Sequence, residues 1–449
     1  MDPMPRVHLT TLGCARNDVD SDELSARLDA AGWDVRGSDE AADVIVVNTC
    51  GFIASAKKDS IDTILAASDT GVPVVVAGCL AERYGRELAD ELPEAAAVLG
   101  FDDYTALPDL LDRVLSGERP QAHEPRDRRT LIPISPIDRD LGQSPGTAGL
   151  RRSVSAPVVP VKLASGCDRR CSFCAIPSFR GSFVSRRPTD VLAEIAQVVA
   201  DGAKEVFLVS ENSTSYGKDL GDIRLLESLL PAIGAVEGLV RARVSYLQPA
   251  EVRPGLIEVI ADTPGVAPYF DLSFQHASAA VLRRMRRFGD AESFLDLIAR
   301  ARAINPAAGF RSNVIVGFPG ETEDDVHVLM EFLSQARLDV VGVFGYSDEE
   351  GTEAVGLEGH LPEHVIDERV AAVSALVDEV MEERGRQRMG ESVDVIVEAV
   401  VDGVAEGRGA HQGPEDAAVV IPDANAVVGD VRSVHIIDVD GVDLVGRPG

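Results

Sequence analysis

Over the first hundred positions, short apolar runs alternate with stretches of helical spacing. VHLTTL at 7–12, DVIVVNT at 43–49 and PVVVAG at 73–78 are short and rich in valine, as strands are. Leu24 and Leu28 stand four apart in a helix predicted from Asp20 to Ala31, and Ile61, Ile64 and Leu65 mark a second. A third helix is expected from about Glu82. Strands alternating with helices predict a parallel sheet. Cys14, Cys50 and Cys79 each fall just past the carboxyl end of one of these strands, the edge at which open α/β sheets bind ligands.

The pattern breaks at 116–157, where six prolines and scattered arginines leave little periodicity. A linker is expected there, with one short strand at Leu131–Ile134, and Arg151 and Arg152 read as solvated charge. Alternation resumes with apolar runs at 158–164, 205–210, 240–245, 269–274, 310–317 and 338–346, followed by a long helix over 363–388. Six β/α units predict a partial barrel whose chemistry lies at the carboxyl ends of its strands. The last stretch, rich in valine, glycine and aspartate, alternates in short strands such as VDVIVEAV and predicts a small β-barrel. The expected class is therefore α/β: a parallel sheet domain over 1–115, a linker over 116–157, a partial (β/α)6 barrel over 158–388 and a β-barrel over 389–449.

A length of 449 residues fits about three domains. No apolar run reaches the ~18 residues of a membrane span, and the start, MDPMPRVHLTTLG, lacks the features of a secretory leader. The expectation is a cytoplasmic protein that does not enter membranes. In that reducing setting, six cysteines point to metal or catalysis before disulfides. The net charge of −31 disfavours nucleic acid and suits basic partners, although a proteome-wide acidic bias would look the same.

SGCDRRCSFC sets Cys167, Cys171 and Cys174 within eight residues, directly after a strand. Thiolates suit iron–sulfur clusters, and three of them on one 4Fe-4S cube leave one iron open. An open iron can chelate the amino and carboxylate groups of S-adenosyl-L-methionine, whose reductive cleavage yields a 5′-deoxyadenosyl radical. A zinc site with a distant fourth ligand is the alternative. Cys14, Cys50 and Cys79, separated by 36 and 29 residues, form a looser set. Buried structural thiols would explain them as well as a second metal site.

The motifs TLGCARNDVDSDEL, VVNTCGFIASAKKDSI, AGCLAERYGREL, GCDRRCSFCAIPSFRG, QHAS with VLRRMRR, NVIVGFPGETEDD and FGYSDEEGTEA together resemble the radical S-adenosylmethionine methylthiotransferase family over nearly the whole chain. The resemblance implies a second 4Fe-4S cluster on Cys14, Cys50 and Cys79, a TRAM domain at the end, and an electron donor such as flavodoxin or ferredoxin. Ala15 and Arg16 after Cys14, and the run CDRRCSFCAIPS, are similar to the branch that methylthiolates the β-carbon of an aspartate in ribosomal protein S-twelve.

Charge favours that branch over the tRNA-modifying one. Residues 391–449 hold 12 acidic residues against 3 arginines and no lysine. This balance suits a basic ribosomal protein docking on an acidic domain, and gives little basis for direct tRNA binding. Around the cofactor the resemblance implies roles for Phe173, Glu211, Asn212, Gln275, Gly317 and Gly320. Phe173 would position adenine or shield the cluster. Glu211 and Asn212 would hydrogen-bond the sugar or methionine part of the cofactor, or simply form a solvated strand end. Gln275, with His276, would line the cavity, or His276 would simply cap the next helix. The two glycines would let backbone approach the cofactor or simply make a tight turn. SENSTSYGKD, LSFQHAS and SYLQP depart from the family pattern at strand ends, which leaves the individual contacts open. A tRNA adenosine methylthiotransferase is the nearest alternative function, and a non-catalytic electron-transfer or scaffold protein is one of another class.

Overall fold

The computed structural model describes residues 4–36, 42–130, 152, 154–414 and 416–449; the strand expected at Leu131–Ile134, and Arg151, lie outside them. The chain divides into two compact units. One takes in the described residues up to 152 with Ser165–Arg169 and Ala175–Val184, and the other takes in Val154–Ala164, Arg170–Cys174 and the described residues from Ser185 on.

In the first unit β1 (Arg6–Thr11), α1 (Ala15–Ala30), β2 (Asp34–Arg36), β3 (Val44–Thr49), α2 (Ala54–Ser68), β4 (Val74–Ala77), α3 (Gly78–Glu91), β5 (Ala95–Val98) and α4 (Leu107–Leu115) follow in order. The strands pair in parallel as β2-β1-β3-β4-β5. Every residue of β3 is buried, and alternate side chains serve opposite faces. Val44 and Val46 join Leu24, Leu28, Leu107 and Leu111, whereas Ile45 and Val47 join Ile64, Leu80 and Leu88. Helices cover both faces, so the strand has no polar side.

The structure adds β2, β5 and α4, which the apolar pattern did not flag. β5 reads AAAV, too small in side chain to signal a strand, and exists through its pairing with β4. α3 begins at Gly78, four residues before the expected Glu82. Gly78 turns at φ +89°, where a Cβ would come within 2.3 Å of the Asn48 side chain. Cys79 therefore sits in the first turn of a helix.

Part of the expected linker is packed against this unit. The His123 N–H donates to the Val98 carbonyl at 3.0 Å. Glu82 accepts from the Arg128 guanidinium at 2.6 Å and the Phe101 N–H at 2.8 Å, and its carboxylate lies 3.4 Å from His123 Nε2. Arg152 corrects the reading as solvated charge: it is buried and ion-paired with Asp22.

The second unit opens with β6 (Val158–Lys162). The short strands β7 (Ala164–Ser165) and β8 (Val184–Ser185) follow, with helix α5 (Ile176–Arg180) of the first unit between them in sequence. Then come α6 (Pro188–Ala200), β9 (Glu205–Val209), α7 (Leu225–Gly234), β10 (Arg241–Val244), α8 (Pro254–Asp262), β11 (Tyr269–Asp271), α9 (Ala279–Arg284), α10 (Ala291–Ile304), β12 (Gly309–Val316), α11 (Glu323–Ala336) and β13 (Val340–Gly345). β6, β9 and β10 form one parallel sheet and β11, β12 and β13 another. Parallel bridges Ala242↔Val266 and Leu247↔Leu272 join the two, giving the expected run of six.

The long helix α12 (Glu363–Gln387) leads into β14 (Ser392–Val401), β15 (Val404–Arg408), β16 (Val419–Pro422), β17 (Val431–Asp440) and β18 (Asp443–Pro448). These five strands close into a barrel around Val395, Val397, Val419, Ile421, Val434 and Ile436. Buried Glu205 pairs with Arg241 and Arg243. Those guanidiniums also donate to the Arg408 carbonyl at 2.6 Å and the Ala410 carbonyl at 2.8 Å. Buried charge is tolerated there because every partner is supplied.

Candidate metal centres

Three strand ends of the first unit bring Cys14, Cys50 and Cys79 to one edge of its sheet. Cys14 is the N-cap of α1, Cys50 follows β3, and Cys79 opens α3. Gly13 allows a close approach: a Cβ there would lie 3.0 Å from the Cys50 Cβ and 3.2 Å from its sulfur. The backbone at Gly51 packs on the next loop, and a Cβ there would meet the Leu80 nitrogen at 2.8 Å and the Cys79 carbonyl carbon at 2.9 Å.

Polar residues of the same motifs knit these ends together. Asn17 Nδ2 donates to the Leu12 carbonyl at 2.7 Å and the Thr49 carbonyl at 3.1 Å. Asn48 Nδ2 donates to the Asn17 carbonyl at 2.9 Å, and Thr49 Oγ1 donates to the Ala77 carbonyl. Each side chain satisfies backbone that the turns leave unpaired.

Burial pushes the Cys79 thiol up to about 11, with Arg180 opposing the rise. Burial also raises the Cys50 thiol. A Cys14 thiolate adds to both rises, so the three sulfurs lie within electrostatic reach of one another. Thiols held protonated in this way ionise when a metal takes the sulfur. Arg16 Nε stands 3.3 Å from the Cys14 sulfur, and Arg180 Nη2 3.2 Å from that of Cys79.

The second cysteine set lies on one loop, which both units share: Cys167 belongs to the first and Cys171 and Cys174 to the second. The Cys167 N–H donates to the Gly181 carbonyl at 3.0 Å, and the Arg169 N–H points at the Cys167 sulfur at 3.4 Å. In the second unit the Cys174 N–H closes a turn on the Cys171 carbonyl. Ser172 anchors that turn, donating from N–H to the Met285 carbonyl at 3.1 Å and from Oγ to the Arg284 carbonyl at 2.8 Å. Its own carbonyl accepts from the Ala354 N–H at 2.8 Å. Arg287 Nη1 stands 3.7 Å from the Cys171 sulfur, and Nη2 donates to Gln248 Oε1 at 2.7 Å. Phe173 packs edge-on against Phe318, which packs in turn on Tyr346.

All six cysteines are free thiols. Among the described residues, no three His, Cys, Asp or Glu side chains converge on a point that could hold a single metal ion. A 4Fe-4S cube takes its thiolates at separate irons, so its ligands need not converge in that way.

Glu211 and Gln275 are half-buried just past the carboxyl ends of β9 and β11. Gln275 is held at φ +68°, and Tyr246, just past β10, at φ +59°; non-glycine residues in this region store strain, which concentrates at functional sites. Asn212 is buried, and its amide donates to Ser215 Oγ at 2.9 Å and Glu251 Oε2 at 2.8 Å. His276 is fully buried, accepts from the Ser278 N–H, and lies 3.4 Å from Glu321. Gly317 and Gly320 turn at φ +79° and +80°, with Ile366 and the Arg284 guanidinium in the space where a side chain would begin. Both glycines make a tight turn that a side chain could not enter.

Arg180, Asn17 and Arg287 were missed in the sequence. Each lies inside a recognisable motif, yet nothing in its spacing says that its side chain ends beside a cysteine.

Three family models match the chain: the uncharacterized protein family UPF0004 over residues 6–100, the radical SAM superfamily over 161–333 and the TRAM domain over 389–448. A ribosomal protein uS12 methylthiotransferase RimO of Saccharopolyspora erythraea is 59% identical over 99% of this chain and 95% of that protein. One from a Nocardioides species is 58% identical over 98% of this chain and 97% of that protein. Among solved structures, the radical S-adenosylmethionine methyltransferase TsrM of Kitasatospora setae matches with a TM-score of 0.53 at 15% identity, covering 90% of this chain and 80% of that one. At that identity the likeness concerns fold alone.

Proposed function

The chain belongs to the RimO family of ribosomal protein uS12 methylthiotransferases, and from that premise we propose that it replaces a hydrogen on the β-carbon of one aspartate of uS12, the S-twelve protein, with a methylthio group. The observation that supports this most is the meeting of Cys14, Cys50 and Cys79 at one sheet edge in a chain that also holds the C-x-x-x-C-x-x-C loop. Each set offers three thiols and so leaves a cube one open iron. When bound, a 4Fe-4S cluster on Cys167, Cys171 and Cys174 would supply, with S-adenosyl-L-methionine, the radical that removes the hydrogen, and one on Cys14, Cys50 and Cys79 the place from which sulfur is transferred.

The chain's own residues hold and shield. The backbone of Arg284, Met285 and Ala354 pins the turn at Ser172, which keeps Cys171 and Cys174 in one geometry. Phe173, Phe318 and Tyr346 pack edge to face and would exclude water from a reactive radical. Glu211 and Gln275, past the ends of two barrel strands, present polar groups to the cofactor.

The acidic terminal barrel favours a protein substrate over RNA. Of its three arginines, Arg408 is paired with Glu398 and Arg432 with Asp430, which leaves little cationic surface for phosphates. A basic ribosomal protein docks on such a surface by charge. Free thiols and a low-potential reaction fit the cytoplasm, with a flavodoxin- or ferredoxin-like electron donor.

The test is anaerobic reconstitution followed by iron counting, then incubation with S-adenosyl-L-methionine, reductant, sulfide and a uS12 loop peptide. The expected result is about eight irons per chain and a peptide mass gain of one SCH3 for H. That gain should vanish when alanine replaces the target aspartate. Eight irons and 5′-deoxyadenosine with no change in the peptide, but methylthiolated adenosine in tRNA, would overturn the substrate assignment.

A further inference from the structure

Helix α5 ends six residues beyond Cys174 at Arg180, and this side chain returns to the other cysteine set. Its Nη2 lies 3.2 Å from the Cys79 sulfur, 3.0 Å from Asn17 Oδ1 and 2.9 Å from Asp20 Oδ2. Its guanidinium carbon sits 4.9 Å over the Phe101 ring. Arg180 and Asp20 are both nearly buried, at 9% and 7% side-chain exposure. Cys79 itself packs with Ala175 and Phe179 of the same stretch.

We propose that Arg180 is a positioning residue that sets the reduction potential of the N-terminal cluster by hydrogen-bonding its Cys79 ligand sulfur. A buried ion pair is weak as a fastener, because desolvation consumes most of its attraction and apolar packing would serve as well. The sulfur explains why a charged group is kept here. Asp20 balances the arginine charge, and the two N–H groups of Nη2 are shared among Asp20 Oδ2, Asn17 Oδ1 and the Cys79 sulfur, which holds that nitrogen against the thiolate. Hydrogen bonds to cluster sulfurs stabilise the reduced state, which carries one more negative charge, and raise the potential. Arg16 makes a similar approach to Cys14 at 3.3 Å, but it is half-exposed, and water weakens its effect.

The assignment rests on Cys14, Cys50 and Cys79 being cluster ligands, and the test separates the two claims. In the full chain carrying serine at Cys167, Cys171 and Cys174, only the N-terminal cluster can load. Its iron is counted and its midpoint potential read by a redox titration followed by electron paramagnetic resonance. The same is done after adding Arg180→Lys, which keeps the charge and loses the fork, or Arg180→Gln with Asp20→Asn, which leaves no charge stranded. The expected result is full iron in all three proteins and a more negative midpoint in both Arg180 variants. An unchanged midpoint at full iron overturns the proposal. Loss of iron from both variants, with the parent loaded, would also overturn it by making Arg180 a structural support only. No iron in the parent would defeat the ligand reading and this assignment with it.

Discussion

Two regions of this chain each bring three cysteines together, with opposite chain geometry. Cys167, Cys171 and Cys174 lie within eight consecutive residues, so little loop entropy is lost in gathering them. Their turn is braced by backbone bonds at Ser172. Cys14, Cys50 and Cys79 are separated by 36 and 29 residues and meet only because β1, β3 and β4 pair in parallel with their carboxyl ends aligned. The first site depends on a loop and the second on a whole domain. A local site should tolerate damage elsewhere in the chain, whereas a dispersed one should register every weakening of its sheet.

The largest effects separate the two sites outright. Cys171→Ser is expected to abolish formation of 5′-deoxyadenosine and to halve the iron content, with the N-terminal absorption retained. Cys79→Ser should remove the other half of the iron and all methylthio transfer, yet leave cleavage of S-adenosyl-L-methionine measurable by chromatography. If Cys79→Ser also ended cleavage, the two cysteine sets would not act independently.

A subtler variant sharpens the contrast. Asn17→Ala removes the buried amide that bonds the Leu12 and Thr49 carbonyls and accepts from Arg180. Leaving those groups unsatisfied should lower stability by about 1–3 kcal/mol, read as a shift in denaturant midpoint. It should also weaken iron retention at the dispersed site before the loop site. Equal iron loss from both would count against the distinction.

The smallest effect concerns pH. The hydrogen bond to Glu82 holds His123 above its ordinary value of 6.5, with burial opposing. A raised histidine pKa stabilises the fold fully below its unfolded value, and that contribution is lost as pH rises through the folded value. His123→Gln should therefore lower stability by about 1 kcal/mol near pH 6, with the difference from the parent shrinking towards pH 9. Denaturation at several pH values would show whether the gap stays constant, which would mean that packing and not charge holds this segment.

How well each region could be read follows the same contrast. The loop motif was legible because its chemistry and its spacing are contiguous. The dispersed set was placed on one sheet edge by taking VHLTTL, DVIVVNT and PVVVAG as strands, and its reading as a second cluster site came from the family resemblance of the surrounding motifs. β5 was not legible, since AAAV has no alternation and its pairing with β4 makes it a strand. α4 did carry a signal, with Leu107, Leu111 and Val114 on one buried face, but it is short. Gly317 and Gly320 were legible as a turn, but that Ile366 and Arg284 fill the space beside them was not, since those neighbours are distant in sequence. That the Asn212 amide bonds Glu251 was not legible either, because Glu251 is distant in sequence.

By itself the sequence determined the cysteine spacings, most of the strands and helices, the parallel α/β character with a terminal β-barrel and the acidic charge of that barrel, because these depend on residue type and local periodicity. Only the tertiary structure decided that Arg180 reaches Cys79, that Arg287 stands beside Cys171, that Arg152 is buried on Asp22, and that Glu205 holds two arginines facing the terminal barrel. A guanidinium at the end of a long side chain has no periodicity to betray its partner. What it contacts is set by how elements distant in sequence pack, and by the need for every charge buried there to find its complement.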